Sequence, residues 1–250
     1  MSTDHATLWV MAVIGLATVI RSALGFGEAL VAVPLLALII PVEVAAPLAV
    51  LVSVTVAALV LISDWRDVHP GGAGRLILAT VPGIPVGLMM LTMASESIVK
   101  AILAAVIIPF ATYRLFGRSR FELHDDRLAW LFGFGAGVMG GAYGMNGPPL
   151  VVYAALRRWP PARFRATLQG YFLPASLVGM VGYWAAGLWV PEVTRYYLWN
   201  LPVIAAATAL GRNIGRRMGG GRFLAYVHIG LAAIGGLLLF QALRGFGQSL

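Results

Sequence analysis

The chain contains no cysteine. That absence excludes a disulfide framework, thiolate metal sites and thiol chemistry on a substrate. Charge is scarce as well: 11% of the 250 residues are Asp, Glu, Lys or Arg, against about a quarter in a soluble domain. A chain so poor in polar surface is not expected to fold in water. No polar linker sets off a soluble domain, and no phosphate-binding loop of the Walker type appears, which counts against ATP-driven transport. The opening residues, MSTDHATLWV, lack the basic region and small-residue cleavage site of a signal peptide. They are expected to form a short tail leading into the first apolar segment. No serine, histidine and acid recur in a catalytic arrangement, so neither an enzyme nor a cofactor is expected. His124, Asp125 and Asp126 are adjacent but have no partner cluster, and His5, His69 and His228 are isolated, so no metal site is expected.

What the chain has instead is hydrocarbon. Sixty per cent of its residues are hydrophobic and the mean hydropathy is +0.85. Apolar runs of about 20 residues, the length that spans a bilayer core, recur along the sequence. The expected class is an all-α polytopic membrane protein with one transmembrane domain. Ten apolar segments can be marked, at 6–20, 26–40, 45–63, 74–93, 97–116, 127–142, 148–157, 164–186, 193–211 and 222–243. Two of them, 26–40 and 148–157, are short and follow glycine-rich breaks rather than polar loops. The stretches 6–40 and 127–157 are therefore expected to be broken or re-entrant hairpins.

The two breaks are related. At an offset of 119 residues Gly25-Phe26-Gly27 falls on Gly144-Met145-Asn146 and Pro41 on Pro160; at 120, Arg75 meets Arg195 and Pro82 meets Pro202. Each half then comprises about five helical segments, repeat 1 over 6–116 and repeat 2 over 127–243, joined by a cytoplasmic loop at 117–126. An odd number of crossings per half makes the second half enter from the opposite side, giving an inverted-topology repeat. The net charge of +8 would suggest nucleic acid in a soluble chain. Here 14 of the 18 basic residues fall in segments 64–75, 114–127, 157–165 and 212–222, all on one face of this topology. By the positive-inside rule that face is cytoplasmic and both termini lie outside. Lipids, not nucleic acid, are the expected surroundings.

The first break, RSALGFGEALVAVP, places Arg21 and Glu28 where a bilayer has hydrocarbon. A charge at that depth costs at least about 2.5 kcal/mol and faces protein or water, often on a substrate path. Arg21 either serves such a path, or snorkels to an interface, or locks onto Glu28 as a buried pair. Glu28 opens a half-helix, where the helix dipole favours an acid; it is either a cap or a carrier of protons. The second break, GGAYGMNGPPLVVY, cannot stay helical through Gly144, Gly147, Pro148 and Pro149. Backbone that leaves the helix at membrane depth must be buried in protein or line a wet cavity. Two opposed half-helix N-termini make an anion site. Candidate substrate-binding residues are Arg21, Gly25, Phe26, Gly27, Tyr143, Gly144, Met145, Asn146, Gly147 and Pro148. Gln169 either lines the same pocket or bonds between helices. Gly135, Gly137 and Gly140 match the dinucleotide fingerprint without its strand, so that match is taken as accidental. Gly133 and Gly137, like Gly211 and Gly215, are spaced for close helix packing.

A chain of 250 residues with GFGEALVAVPLL early in its first half and GAYGMNGPPLVVY early in its second resembles the TauE/SafE family. These are the sulfite and organosulfonate exporters, also called TSUP transporters. The resemblance covers essentially the whole chain. It implies a secondary carrier of the cell membrane (the inner membrane in a Gram-negative bacterium), built from inverted repeats and moving sulfite, sulfonates or other small organic anions. It also implies a substrate site at residues 25–28 and 144–148. Some relatives that handle thiosulfate rely on cysteines, a route closed to this chain. The expected function is alternating-access transport of a small anion, with a proton as coupling ion through Glu28. An anion channel and a carboxylate transporter are the alternatives, and a homodimer is one oligomeric state open to it.

Overall fold

The structure, a computed structural model, describes residues 3–64, 74–116, 123, 127–159 and 161–217, together with 232, 233, 236, 239–241, 243 and 244. Among them are the helices α1 (Thr3–Leu24), α2 (Glu28–Leu36), α3 (Val42–Asp64), α4 (Gly74–Met93), α5 (Glu96–Phe116), α6 (Ala129–Tyr143), α7 (Gly147–Leu156), α8 (Pro161–Ala185) and α9 (Pro191–Arg217), and no strand. Most of the expected segment 222–243 and of the loop 117–126, with His124, Asp125 and Asp126, lies outside the described residues. The all-α class holds. Four helices, α1, α3, α4 and α5, contain stretches long and apolar enough to cross a membrane. The dinucleotide-like glycines Gly135, Gly137 and Gly140 lie inside α6, where no nucleotide loop exists.

Both short segments are half-helices. The nine residues of α2 and ten of α7 rise about 14–15 Å, half of a hydrocarbon core about 30 Å thick. The first break turns on glycines: Gly25 and Gly27 have φ of 85° and 97°, a region closed to most side chains. At the second, Gly144 takes φ 67°; its N–H bonds the Gly140 carbonyl and that of Met145 the Met139 carbonyl. This is a left-handed (αL) helix stop, with glycine where the left-handed residue is required.

Several boundaries differ from the sequence expectation, and two of them bring arginines into the C-terminal ends of helices. α1 continues past residue 20 to Leu24, so Arg21 stands in its last turn, where a cation meets the negative end of the helix dipole. α9 continues past residue 211 to Arg217, so Arg212, Arg216 and Arg217 belong to helix rather than loop. Long cationic side chains can extend from a helix end towards the interface while their stems stay on apolar surface.

Packing follows the glycines. α4 lies along α6 and α1 along α9; α3 meets α8 at the centre, flanked by α4 against α8 and α9 against α3. Relabelling α1, α3 and α4 as α6, α8 and α9, and the reverse, carries these neighbours onto one another. The close-packing roles expected of Gly137 and Gly211 are observed. A Cβ on Gly137 would sit 2.9 Å from the Gly83 Cα, and one on Gly211 2.5 Å from the Val19 carbonyl oxygen.

Candidate functional site

Arg21 ends α1 and Glu28 begins α2, and the glycine turn between them brings their side chains together. Arg21 Nη1 donates to Glu28 Oε2 at 2.8 Å and to Ser53 Oγ at 3.1 Å, while Ser53 Oγ donates to Glu28 Oε2 at 3.2 Å. On another side the Phe172 ring lies 5.1 Å from the guanidinium carbon, within cation–π range. The pair is buried, with side-chain exposures of 8% and 1%. Burying two charges costs several kcal/mol per ion and is offset only when their remaining hydrogen bonds are made. They are not all made: Glu28 Oε1 has no partner among the described residues. Both bonds from Arg21 leave through Nη1, one nitrogen of a fork with five N–H donors.

The second break is held by a relay. Thr80 Oγ1 lies 2.8 Å from the Leu76 carbonyl oxygen and 3.0 Å from that of Gly133. Its single proton goes to these acceptors, so the Tyr171 hydroxyl, 2.6 Å away, donates to Thr80. Tyr171 then accepts from Asn146 Nδ2 at 3.4 Å. The Asn146 amide lies over Gly140, where a Cβ would come within 2.5 Å of Nδ2. Gly140 is the counterpart of Arg21 at the 119-residue offset. One half carries a charge there and the other carries space for an amide.

A cavity opens between the two breaks. Arg21, Phe26, Gly27 and Glu28 form one wall; Gly144, Met145, Asn146, Gly147 and Pro148 form the opposite one; Ser53, Phe172 and Ser176 complete it from α3 and α8. Nine of the candidate residues thus meet in one space. Gly25 stays in the turn, off the wall. Tyr143 points away, donating to the Val99 carbonyl at 2.8 Å. The Gln169 side chain lies outside the described residues. Ser53, Phe172 and Ser176 were not anticipated, although Ser53 and Phe172 stand 119 residues apart, the offset that relates the two breaks. Tyr143→Phe is accordingly expected to lower stability by about 1 kcal/mol, one buried hydrogen bond, and to leave anion affinity unchanged in parallel melting and binding titrations.

The profile of the family described as "Sulfite exporter TauE/SafE" matches residues 10–239. The chain belongs to the TauE/SafE family. It is a multi-pass membrane protein of a transporter family and not an enzyme. No curated protein and no solved structure matches it.

In this TauE/SafE chain the two half-helix N-termini are chemically unequal. The first intrahelical bond of α2 is Val31 N–H to the Gly27 carbonyl at 3.1 Å, so the N–H groups of Glu28, Ala29 and Leu30 precede it, as at any helix start. In α7 the equivalent turn contains Pro148 and Pro149, which have no N–H to offer. The α7 end thus has the Gly147 N–H and the Asn146 amide where the α2 end has three backbone N–H groups.

Proposed function

We propose that the chain is a secondary transporter of small anions, foremost sulfite or organosulfonates, held between the hairpin tips and coupled to protons through Glu28. The observation that carries this is the cavity walled by both breaks and by Arg21. The α2 amides, the Arg21 fork and the Asn146 amide are the donors an oxyanion needs. Glu28 is the coupling element by charge balance. Arg21 and Glu28 together sum to zero, so an arriving monoanion would leave a net negative charge at membrane depth, which is costly. A proton on Glu28 restores neutrality and releases Arg21 to the substrate. One proton accompanies each monoanion.

The exchange symmetry of the helix neighbours supports two inverted repeats, 6–116 and 127–243, that rock about the cavity. The arginine distribution supports a cytoplasmic 117–126 loop and external termini.

The test is flux in proteoliposomes of sulfite, taurine, sulfoacetate and short carboxylates under imposed pH and potassium-diffusion gradients. Accumulation of sulfite or a sulfonate driven by an acidic outside and, for a monoanion, indifferent to membrane potential is the expected result. Flux that follows potential and ignores pH would identify a channel instead. Accumulation of carboxylates alone would move the substrate to that class.

A further inference from the structure

We infer that the seam between α1 and α9 is a water-filled track leading to the Arg21–Glu28 pair. The observation is a run of buried oxygens that bond to nothing among the described residues: Thr18 Oγ1, Ser22 Oγ, Asn200 Oδ1 and Thr208 Oγ1. Thr18 and Asn200 are 0% exposed and Thr208 6%. Elsewhere in the protein Thr55, Thr80 and Thr92 satisfy their hydroxyls by bonding the carbonyl four residues back. Thr18 and Thr208 do not, so their hydroxyls are turned away from that acceptor. Asn200 spends its Nδ2 on the Tyr196 carbonyl at 2.7 Å, and its oxygen is the atom left over.

The register brings these groups together. A Cβ on Gly15 would lie 3.1 Å from Val203, and one on Gly211 2.7 Å from the Ser22 Cβ. The two helices therefore run parallel along the seam, residue 15 beside 203 and 22 beside 211. Thr208 precedes Gly211 by one turn and Thr18 precedes Ser22 by one turn, so they stand at one level. A water between that level and the level of Ser22 would have the hydroxyls of Thr18, Ser22 and Thr208 as its partners, three being the usual complement of a buried water. Asn200 marks a second position two turns, about 12 Å, further along α9. Ser22 adjoins Arg21 in sequence, so the near end of the track stands one residue from the cavity wall. A dry seam would leave four polar oxygens unpaired, and buried polar groups are rarely so. The inference is independent of substrate and of transport. Under the proposed function it would give Glu28 its route for proton exchange.

The absence of cysteine makes the test direct, because a single introduced thiol is the only one in the chain. Thr18→Cys, Thr208→Cys and, as a dry control, Leu103→Cys on α5 would be reconstituted and exposed to silver ion. After denaturation the surviving thiols would be counted with a fluorescent maleimide. Silver is expected to protect Cys at 18 and 208 within minutes and to leave the control fully labelled. Thiols at 18 and 208 as inert as the one at 103 would overturn the inference. A second readout uses Thr18→Val and Thr208→Val: lost water contacts lower the melting temperature, whereas relief of a dry, unpaired hydroxyl raises it. A rise in both variants would also overturn the track.

Discussion

Arg21→Ala is expected to abolish anion-dependent stabilisation and to bring transport to background. Two effects are combined in that variant and can be separated. The first is structural: Glu28 would remain buried beside Ser53 without its cation. Removing one partner of a buried pair costs about 3–5 kcal/mol, enough to lower the yield of folded protein. The second is functional: the cavity loses the only full positive charge that the described residues place on its wall. The double variant Arg21→Ala/Glu28→Gln removes both charges. It is expected to recover most of the lost stability and still to bind no anion. Arg21→Lys keeps the charge but replaces a planar fork with a point charge, and an affinity loss of about tenfold, 1.4 kcal/mol, is expected. Thermal melting of each variant with and without sulfite or a sulfonate reads both effects. If the double variant binds anion as wild type does, Arg21 is a structural partner of Glu28 and the site lies elsewhere.

How much of this was legible in the sequence depended on the range of the interaction. The breaks were legible because glycine and proline act on their own backbone: positive φ at Gly25, Gly27 and Gly144 is a local demand, and a local residue type meets it. The nearness of Arg21 to Glu28 followed from the same turn. Helix ends were less legible, since a terminal arginine is compatible with either a loop or a last turn; the structure chose the turn at Arg21 and at Arg217. Side-chain direction was not legible. Tyr143 and Asn146 are three residues apart on either side of a helix stop, yet one faces Val99 and the other the cavity. Ser53, Phe172 and Ser176 come from α3 and α8, which reach the cavity only through tertiary packing. The unequal donor supply of the two tips was legible in the paired prolines, whose missing N–H groups suit a first helical turn and for the same reason cannot bind an anion.

A large structural effect is expected from Gly137→Ala, a single methyl group. Its Cβ would overlap the Thr80 carbonyl oxygen and lie 2.9 Å from the Gly83 Cα, far inside van der Waals contact, and both obstructing atoms are backbone. No rotamer change relieves such a clash; the helices must separate. Separation is resisted all along the crossing, because Gly83, Gly87 and Gly141 make equally close backbone approaches, their Cβ positions overlapping the carbonyl oxygens of Phe134, Val138 and Ile84 on the facing helix. Overpacking typically costs 1–3 kcal/mol, and a backbone-to-backbone clash of this kind belongs at or above about 3 kcal/mol. The cost extends to the site. Moving α6 off α4 lengthens the 3.0 Å bond from Thr80 to the Gly133 carbonyl, and Thr80 is the anchor of the Tyr171–Asn146 relay at the cavity wall. Anion affinity should therefore fall along with the melting temperature. Gly135→Ala is the control, two residues away on the same helix with nothing within 4 Å of its Cβ. There alanine's helix propensity predicts a neutral result or a gain of up to about 1 kcal/mol. Equal melting temperatures for the two variants would mean that α4 and α6 do not cross through these glycines, and the position assigned to Asn146 would fall with that crossing.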